Sequence, residues 1–545
     1  MPGLCIRCIL APVYSVYPFR PALSMPRLAR LITPVLAALL TGAAGRSKPA
    51  WLIDLAEKDG TRLSIRMTLA VEADHWELYS SPGGANQLIN WHQRLLGRLT
   101  GKLPPKGALI YGSGQAMRVG DSTVLRGGLA SEFLGQRYLR ASLRVDRLRG
   151  TLAYQSDTNR VGGTVDGAPA TSDLPVRNYR AVAASTRDSI SALIFDPRIP
   201  ARPNIQEFFR RLDAAAARAT DDLDMVVAFI SLEPLLGISH FAFIRNPQIA
   251  ATPLDSLIAG DRSVNPAQWV NASFYGNGAL CYLRVSRWDR ATPFIHRAFQ
   301  RMDSVGTKVL VLDITSNGGG DATSFVPAMY LFRDTIVAGS VVGRVWNSAH
   351  TGPPADTEMA RFRPLGSEEE AKTLLDVVRR EDGALARFAP RQPYFGGNVY
   401  LLINSFSASA SEPLAHLLKS TGRAQLIGRR TAGRMLTALP HHVGDGFIVT
   451  VPEADYYAKG TVRLEGRGVE PDIDTDDPNI VVTREIQKSM PYPALLLRAQ
   501  THFNRRDYAR AEQDWTEALA LAATDENKRA IQDRINDVRR RLSQP

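Results

Sequence analysis

Two short runs, "VLVLDITSNGGGD" from Val309 and "VYLLINSFSASASEPLAHLL" from Val399, restrict the folds open to this chain more than any other feature. Each opens with a stretch that is apolar on both faces, which suits a strand covered on both sides, and then breaks into small polar residues. Further strand-like runs ("ALCYLRVSRW", "GFIVTVPE") alternate with helical ones ("PFIHRAFQRMD", "SEPLAHLLKSTG"). This alternation predicts a layered α/β core with a largely buried sheet over residues 266–480.

The rest of a 545-residue chain is too long to belong to the same unit. Residues 45–175 carry short alternating runs such as "TRLSIRMTLAV", separated by Gly-bearing turns, and predict an antiparallel β-sandwich or barrel-like domain. Residues 176–265 change to helical texture, with Ile205, Phe208, Phe209, Leu212 and Ala215 at spacings of three and four. Residues 481–545 are helical almost throughout, and Tyr508, Ala511 and Ala518 fit one tetratricopeptide-like unit, which needs a second surface to dock on.

At the start, "MPRLARLITPVLAALLTGAAG" from Met25 has a basic n-region, an apolar h-region and small residues suited to cleavage. Residues 1–44 therefore read as a signal peptide with its true start at Met25, and predict export to a periplasmic or extracellular space. The apolar run is shorter than the roughly 20 residues of a membrane span, so no span is expected in the mature chain. Cys5 and Cys8 precede the leader, leaving Cys281 alone, so neither a disulfide framework nor a cysteine metal site is expected. The formal charge of +12 comes from dispersed arginines with no aromatic-studded basic stripe, which argues against a nucleic-acid partner.

The chemistry lies where the two runs break. Gly318 to Gly320 free the backbone N–H groups at a strand end for a ligand, which suits an oxyanion hole, a phosphate cradle or a plain turn. A phosphate loop needs a following Gly-Lys-Ser/Thr, whereas Asp321 and Ala322 follow here. A serine between the second strand and its helix gains from the helix N-terminus, which stabilises negative charge nearby. The alternative is capping alone, with Ser411 as N-cap.

Taken in order, "LDITSNGGG", "SASASEPLAHLLKSTGRAQLIGRRTAG" and "LEGRGVEPDI" resemble the core motifs of the tail-specific or C-terminal processing serine peptidases over roughly 200 residues. The resemblance implies a crotonase-like layered α/β peptidase domain with Ser409 as nucleophile and the N–H groups of Gly319 and Ala410 as oxyanion donors. Two departures qualify it. Thr315 replaces the motif's arginine, and Arg434 stands where the lysine-dependent branch carries its base. A guanidinium cannot accept a proton near neutrality.

In the tricorn-like branch a histidine upstream of the core is the base and a glutamate before the last motif orients it. His240 in "GISHFAF" and Glu465 in "RLEGRGVEPD" match those places, with Glu453 and Glu470 as fallback carboxylates and His350 as a weaker candidate base. The expectation is an exported serine endopeptidase acting on peptide or protein substrates without metal or other cofactor, its oligomeric state unread. The rival expectation is a non-catalytic ligand-binding or scaffolding pseudoprotease of the same fold, and ester hydrolysis on the same triad is a third.

Overall fold

The computed structural model describes residues 50–80, 109–131, 135–154, 157–170, 177–250, 265–371 and 373–543. The leader, Cys5, Cys8 and His92 lie outside the described residues.

Alternation in the N-terminal region gives a closed antiparallel barrel of eight strands: β1 (Ala50–Glu57), β2 (Arg62–Val71), β3 (His75–Ser80), β4 (Ile110–Val119), β5 (Ser122–Ser131), β6 (Gly135–Arg144), β7 (Arg147–Tyr154) and β8 (Asp157–Pro169). Closure pairs β1 with β8 and removes both sheet edges. Inward positions such as Ile53, Ile65, Met67, Trp76, Leu78 and Leu148 are wholly buried and fill the interior.

One end of the barrel is fastened to the rest of the protein. Strand β2 pairs with β3 only from Met67 onward, so the N–H groups of Ser64 and Arg66 lack a strand partner on that side. Asp222 accepts from Ser64 at 2.8 Å and Asp221 from Arg66 at 2.9 Å, which satisfies donors that would otherwise be buried unpaired. Both aspartates sit at the start of α3 (Asp222–Leu232), which follows α1 (Tyr179–Leu193) and α2 (Pro203–Ala216). The apolar faces of these helices and the barrel interior form one continuous core with Phe447, Val449 and Val451.

Two sheets build the α/β core. The first has six strands in the order β10 (Val270–Tyr275), β11 (Leu280–Val285), β12 (Val309–Asp313), β16 (Asn398–Ile403), β17 (Gln425–Gly428) and β21 (Ile473–Asp474). All neighbours except β10 and β11 run parallel. The second follows the order β14 (Arg363–Leu365), β15 (Ala384–Phe388), β13 (Ile336–Val342), β19 (Phe447–Ala458) and β18 (Leu436–Gly444). Two short strands, β9 (Ala242–Arg245) and β20 (Val462–Arg463), also pair with β19.

Leu310, Leu312, Leu401 and Ile403 from the first sheet and Ala338, Ala454 and Tyr456 from the second share a core with α4 (Thr292–Ser304) and α5 (Ser411–Ser420). The opposite face of the first sheet, through Val309, Val311 and Leu402, is covered by α6 (Pro478–Gln487) and α7 (Pro491–Asn504). Helices α8 (Tyr508–Leu521) and α9 (Asp525–Leu542) pack on α7 around Trp515 and Ile535. The tail thus finds its second surface on the α/β core. Among the described residues no helix is long and apolar enough to cross a membrane.

Candidate active site

Strands β12 and β16 are parallel neighbours with Asp313 opposite Leu402, so the turns leaving their C-terminal ends lie side by side. The glycine turn follows β12 and the serine turn follows β16. Asn317, wholly buried, ties the two together. Its carbonyl accepts from Ala408 N–H at 3.1 Å and from the Ser411 hydroxyl at 3.1 Å, and its side-chain amide donates to Val285 O at 3.0 Å.

Gly319 has φ 114° and presses against Ser409: a Cβ there would stand 2.7 Å from the serine Cβ. No residue but glycine fits that approach. Ser409 itself has φ 55°, a left-handed backbone that points its hydroxyl out of the strand-to-helix turn. Its N–H is held by Arg434 O at 2.8 Å and by Glu412 Oε2 at 3.2 Å.

Glu412 is the anchor of this corner. Its carboxylate is wholly buried and accepts also from Thr431 Oγ1 at 2.6 Å, Gly433 N–H at 2.7 Å and Arg434 N–H at 2.8 Å. Burial raises its pKa, and the hydrogen bonds from Thr431, Gly433, Arg434 and Ser409 oppose that rise. The serines on either side of Ser409 are structural: Ser407 donates to Ile314 O at 2.8 Å, and Ser411 accepts from Trp288 Nε1 at 2.8 Å. Ser411 is not the N-cap expected from its position, because Ala410 holds that place and Ser411 is already helical.

The second sheet delivers the other two groups, both from strands paired with β19. His240 lies just before β9, whose Ala242 faces Thr450, and Glu465 lies just after β20, whose Arg463 faces Tyr457. His240 also has a left-handed backbone, φ 67°, and its Nε2 stands 3.4 Å from Ser409 Oγ. That is long for a hydrogen bond and within a small side-chain rotation of one.

Glu465 does not touch His240 directly, as the sequence expectation had it. Ser239 lies between them: its Oγ is 2.6 Å from His240 Nδ1 and 2.9 Å from Glu465 Oε2. A carboxylate only accepts, so the single hydroxyl proton goes to Glu465 and the serine oxygen receives the Nδ1 proton of the histidine. That tautomer leaves the Nε2 lone pair facing Ser409. Glu465 is fixed by Ser239 N–H at 2.8 Å and Met435 N–H at 2.7 Å. Burial lowers the His240 pKa to about 4; the Glu465 carboxylate opposes this and the Arg434 guanidinium reinforces it.

Of the two expected oxyanion donors, Ala410 at the head of α5 has no acceptor for its N–H among the described residues. The N–H of Gly319 differs: it donates to Asn317 Oδ1 at 2.9 Å, so it is engaged and would have to share that bond. The alternative acids and base are occupied elsewhere. Glu453 pairs with Arg379 and His441, Glu470 lies near Arg430, and His350 stacks on Trp346.

Sequence reasoning missed Ser239, Asn317 and Glu412 as working parts. Ser239 was visible only as the neighbour of His240, whereas Asn317 and Glu412 stood inside the quoted motifs without a stated task.

Residues 279–475 match the model of the family described as Peptidase family S41. The C-terminal processing peptidase, chloroplastic, of Tetradesmus obliquus is 27% identical over 37% of this chain and 36% of its own length. The carboxyl-terminal-processing peptidase 1, chloroplastic, of Arabidopsis thaliana is 32% identical over 36% of this chain and 34% of its own. The chain therefore spans only 36% and 34% of these two relatives. Among solved structures, the photosystem II D1 C-terminal processing protease covers 56% of this chain and 94% of its own at 15% identity and a TM-score of 0.35. The tricorn protease covers 79% of this chain and 56% of its own at 10% identity and a TM-score of 0.34. Overlap at that level adds no argument about mechanism. What the family match and the motifs together establish is that this chain carries a peptidase family S41 domain over residues 279–475.

Proposed function

We propose that the chain is an exported serine endopeptidase in which Ser409, His240 and Glu465 form the catalytic triad, Glu465 acting through the hydroxyl of Ser239. The observation that carries this reading is the single line of contacts from Ser409 Oγ through His240 and Ser239 to Glu465.

In the mechanism, His240 Nε2 accepts the Ser409 proton as the oxygen attacks the scissile carbonyl. The positive charge that develops on the ring is met by the Ser239 hydroxyl dipole and, beyond it, the Glu465 carboxylate. The tetrahedral oxyanion is received by Ala410 N–H and by Gly319 N–H, the latter shared with Asn317. Loss of such a donor typically lowers turnover by about 100-fold or more. His240 then returns its proton to the leaving amine, and water repeats the sequence to release the acyl group. A histidine that burial keeps neutral is ready to act as base at physiological pH. Arg434 takes no proton in this scheme.

One observation favours the rival, a non-catalytic ligand-binding or scaffolding protein: the Gly319 donor is already bonded within the chain. A fluorophosphonate probe separates the two. Labelling at Ser409 that disappears in Ser409→Ala and falls sharply in His240→Ala supports the peptidase. A folded chain that stays unlabelled supports the rival. Cleavage of an unfolded protein substrate by the same variants tests peptide-bond hydrolysis. Export is tested by expressing the chain from Met25 and asking whether the product in the exported fraction starts near Gly45.

A further inference from the structure

Arg434 takes no proton in the catalytic scheme, yet its backbone is held on both sides by the site. Its N–H donates to Glu412 Oε2 at 2.8 Å, and its carbonyl accepts from Ser409 N–H at 2.8 Å. The side chain therefore starts one peptide hydrogen bond from the nucleophile's own residue. Thr431, Gly433, Met435 and Leu436 are buried and Ala432 is half-buried, so Arg434 is the one residue that this stretch presents to solvent.

The guanidinium meets no carboxylate. Among the described residues the Arg434 side chain has neither an ion pair nor a hydrogen bond. The acids of the site are committed to other donors: Glu412 to Ser409, Thr431, Gly433 and the Arg434 backbone, Glu465 to Ser239 and Met435, and Asp455 to Arg463. The adjoining loop adds charge of the same sign. A Cβ on Gly433 would stand 3.1 Å from Arg467 N, so the two loops touch, and Arg467 is also exposed and without an ion pair among the described residues. What the rim exposes here is cationic, while Glu412, Asp455 and Glu465 lie buried beneath it.

An unpaired guanidinium at this place bears on the reaction. Its charge opposes protonation of the His240 ring, whereas Glu465, acting through Ser239, favours it. The catalytic step puts a proton on that ring, so the free site carries a charge that works against its own base. A carboxylate laid on Arg434 offsets that charge while the ring is protonated, and the gain falls on turnover as well as on binding.

We propose that Arg434 is a specificity-determining residue that receives an acidic side chain of the substrate, Asp or Glu, through the paired hydrogen bonds a guanidinium offers a carboxylate. An extended peptide advances about 3.3 Å per residue, so a side chain rooted beside Ser409 reaches positions within about three residues of the scissile bond. This inference rests on the peptidase reading and names the substrate class within it.

The test is digestion by the full chain of a synthetic peptide library of randomised sequence, made with free and with amidated C-termini, the cleaved bonds being read by mass spectrometry. The wild type is expected to enrich Asp and Glu about fivefold at a position within three residues of the cleaved bond, in both libraries. Arg434→Gln should abolish the enrichment, and Arg434→Glu should turn it toward Lys and Arg. Two peptides differing only as Asp against Asn at that position should differ about tenfold in kcat/KM with the wild type, part of it in kcat. Arg434→Gln should cleave the Asn peptide at least as fast as the wild type does, whereas loss of a merely structural residue would slow both peptides. Circular dichroism reports that the variants are folded. Cleavage that depends on Ser409 but shows no acidic preference, or a preference that survives in folded Arg434→Gln, overturns the inference and leaves the peptidase reading standing. A preference confined to the library with free C-termini also overturns it, since the chain terminus is then the occupant. A wild type that cleaves neither library overturns both.

Discussion

The barrel and the peptidase core invert each other's use of polar groups. The barrel interior is built from Ile53, Ile65, Met67, Trp76 and their neighbours, with polar side chains turned outward. In the core, the corner that matters is organised around buried polar residues: Asn317, Ser407, Ser411, Glu412 and Thr431. Apolar packing tolerates exchange between side chains of similar volume. A buried polar network depends on every partner being present. The difference predicts that substitutions in the two regions will be felt in different quantities, stability alone in one and turnover together with stability in the other.

The largest effect is expected from Ser409→Ala, which should reduce turnover by about 10⁴-fold or more with little change in melting temperature. If cleavage persists, the core's polar corner is not the seat of chemistry and the comparison fails at its centre. Glu412→Ala comes next: it leaves the Thr431 hydroxyl and the Gly433 and Arg434 N–H groups without their acceptor and should cost about 3 kcal/mol in a denaturant titration, with turnover falling as the Ser409 and Thr431 turns separate. Ile65→Ala in the barrel is its counterpart. It should also cost about 3 kcal/mol through the cavity it leaves, while kcat of the folded fraction stays unchanged.

Ser239→Ala breaks the link between His240 and Glu465 and should lower kcat by about 100-fold, with partial recovery in Ser239→Thr, which keeps a hydroxyl. A merely structural serine would not respond in that way. The smallest effect is on pH dependence. His240 must be neutral to act, so kcat/KM should fall as pH drops through about 4. Arg434→Gln removes a nearby positive charge that favours the neutral ring, so the acid limb should move upward toward the ordinary histidine range. A limb that stays in place would mean that Arg434 does not act on His240.

How much of this could be read from the chain follows the same division. Alternation in "TRLSIRMTLAV" was enough to predict antiparallel strands, but it left sandwich and barrel open, because closure is decided by the pairing of β1 with β8, more than a hundred positions apart in sequence. The uninterrupted apolar runs at Val309 and Val399 predicted a largely buried sheet, and the parallel pairing of its strands emerged only with the fold. The serine and glycine turns were legible because two parallel neighbours end there. His240 and Glu465 were identified only through resemblance, since nothing local announces that β9 and β20 both pair with β19. Ser239 escaped notice because a hydroxyl next to a histidine has no sequence pattern of its own. Asn317's hold on Gly319 is a side-chain geometry that spacing does not encode.

The Glu412 carboxylate receives donors from the serine turn and from the loop of Thr431 to Arg434, and Thr431 in turn receives Val469 N–H at 2.7 Å. Two separated segments of chain therefore converge on one buried anion, and a third reaches it through Thr431. A change in any of them alters the others' bonding at once, so improvement by single steps is blocked there. Engineering this corner calls for transplanting the three segments as a set, while the apolar barrel interior around Ile53, Ile65 and Leu148 can be redesigned one position at a time.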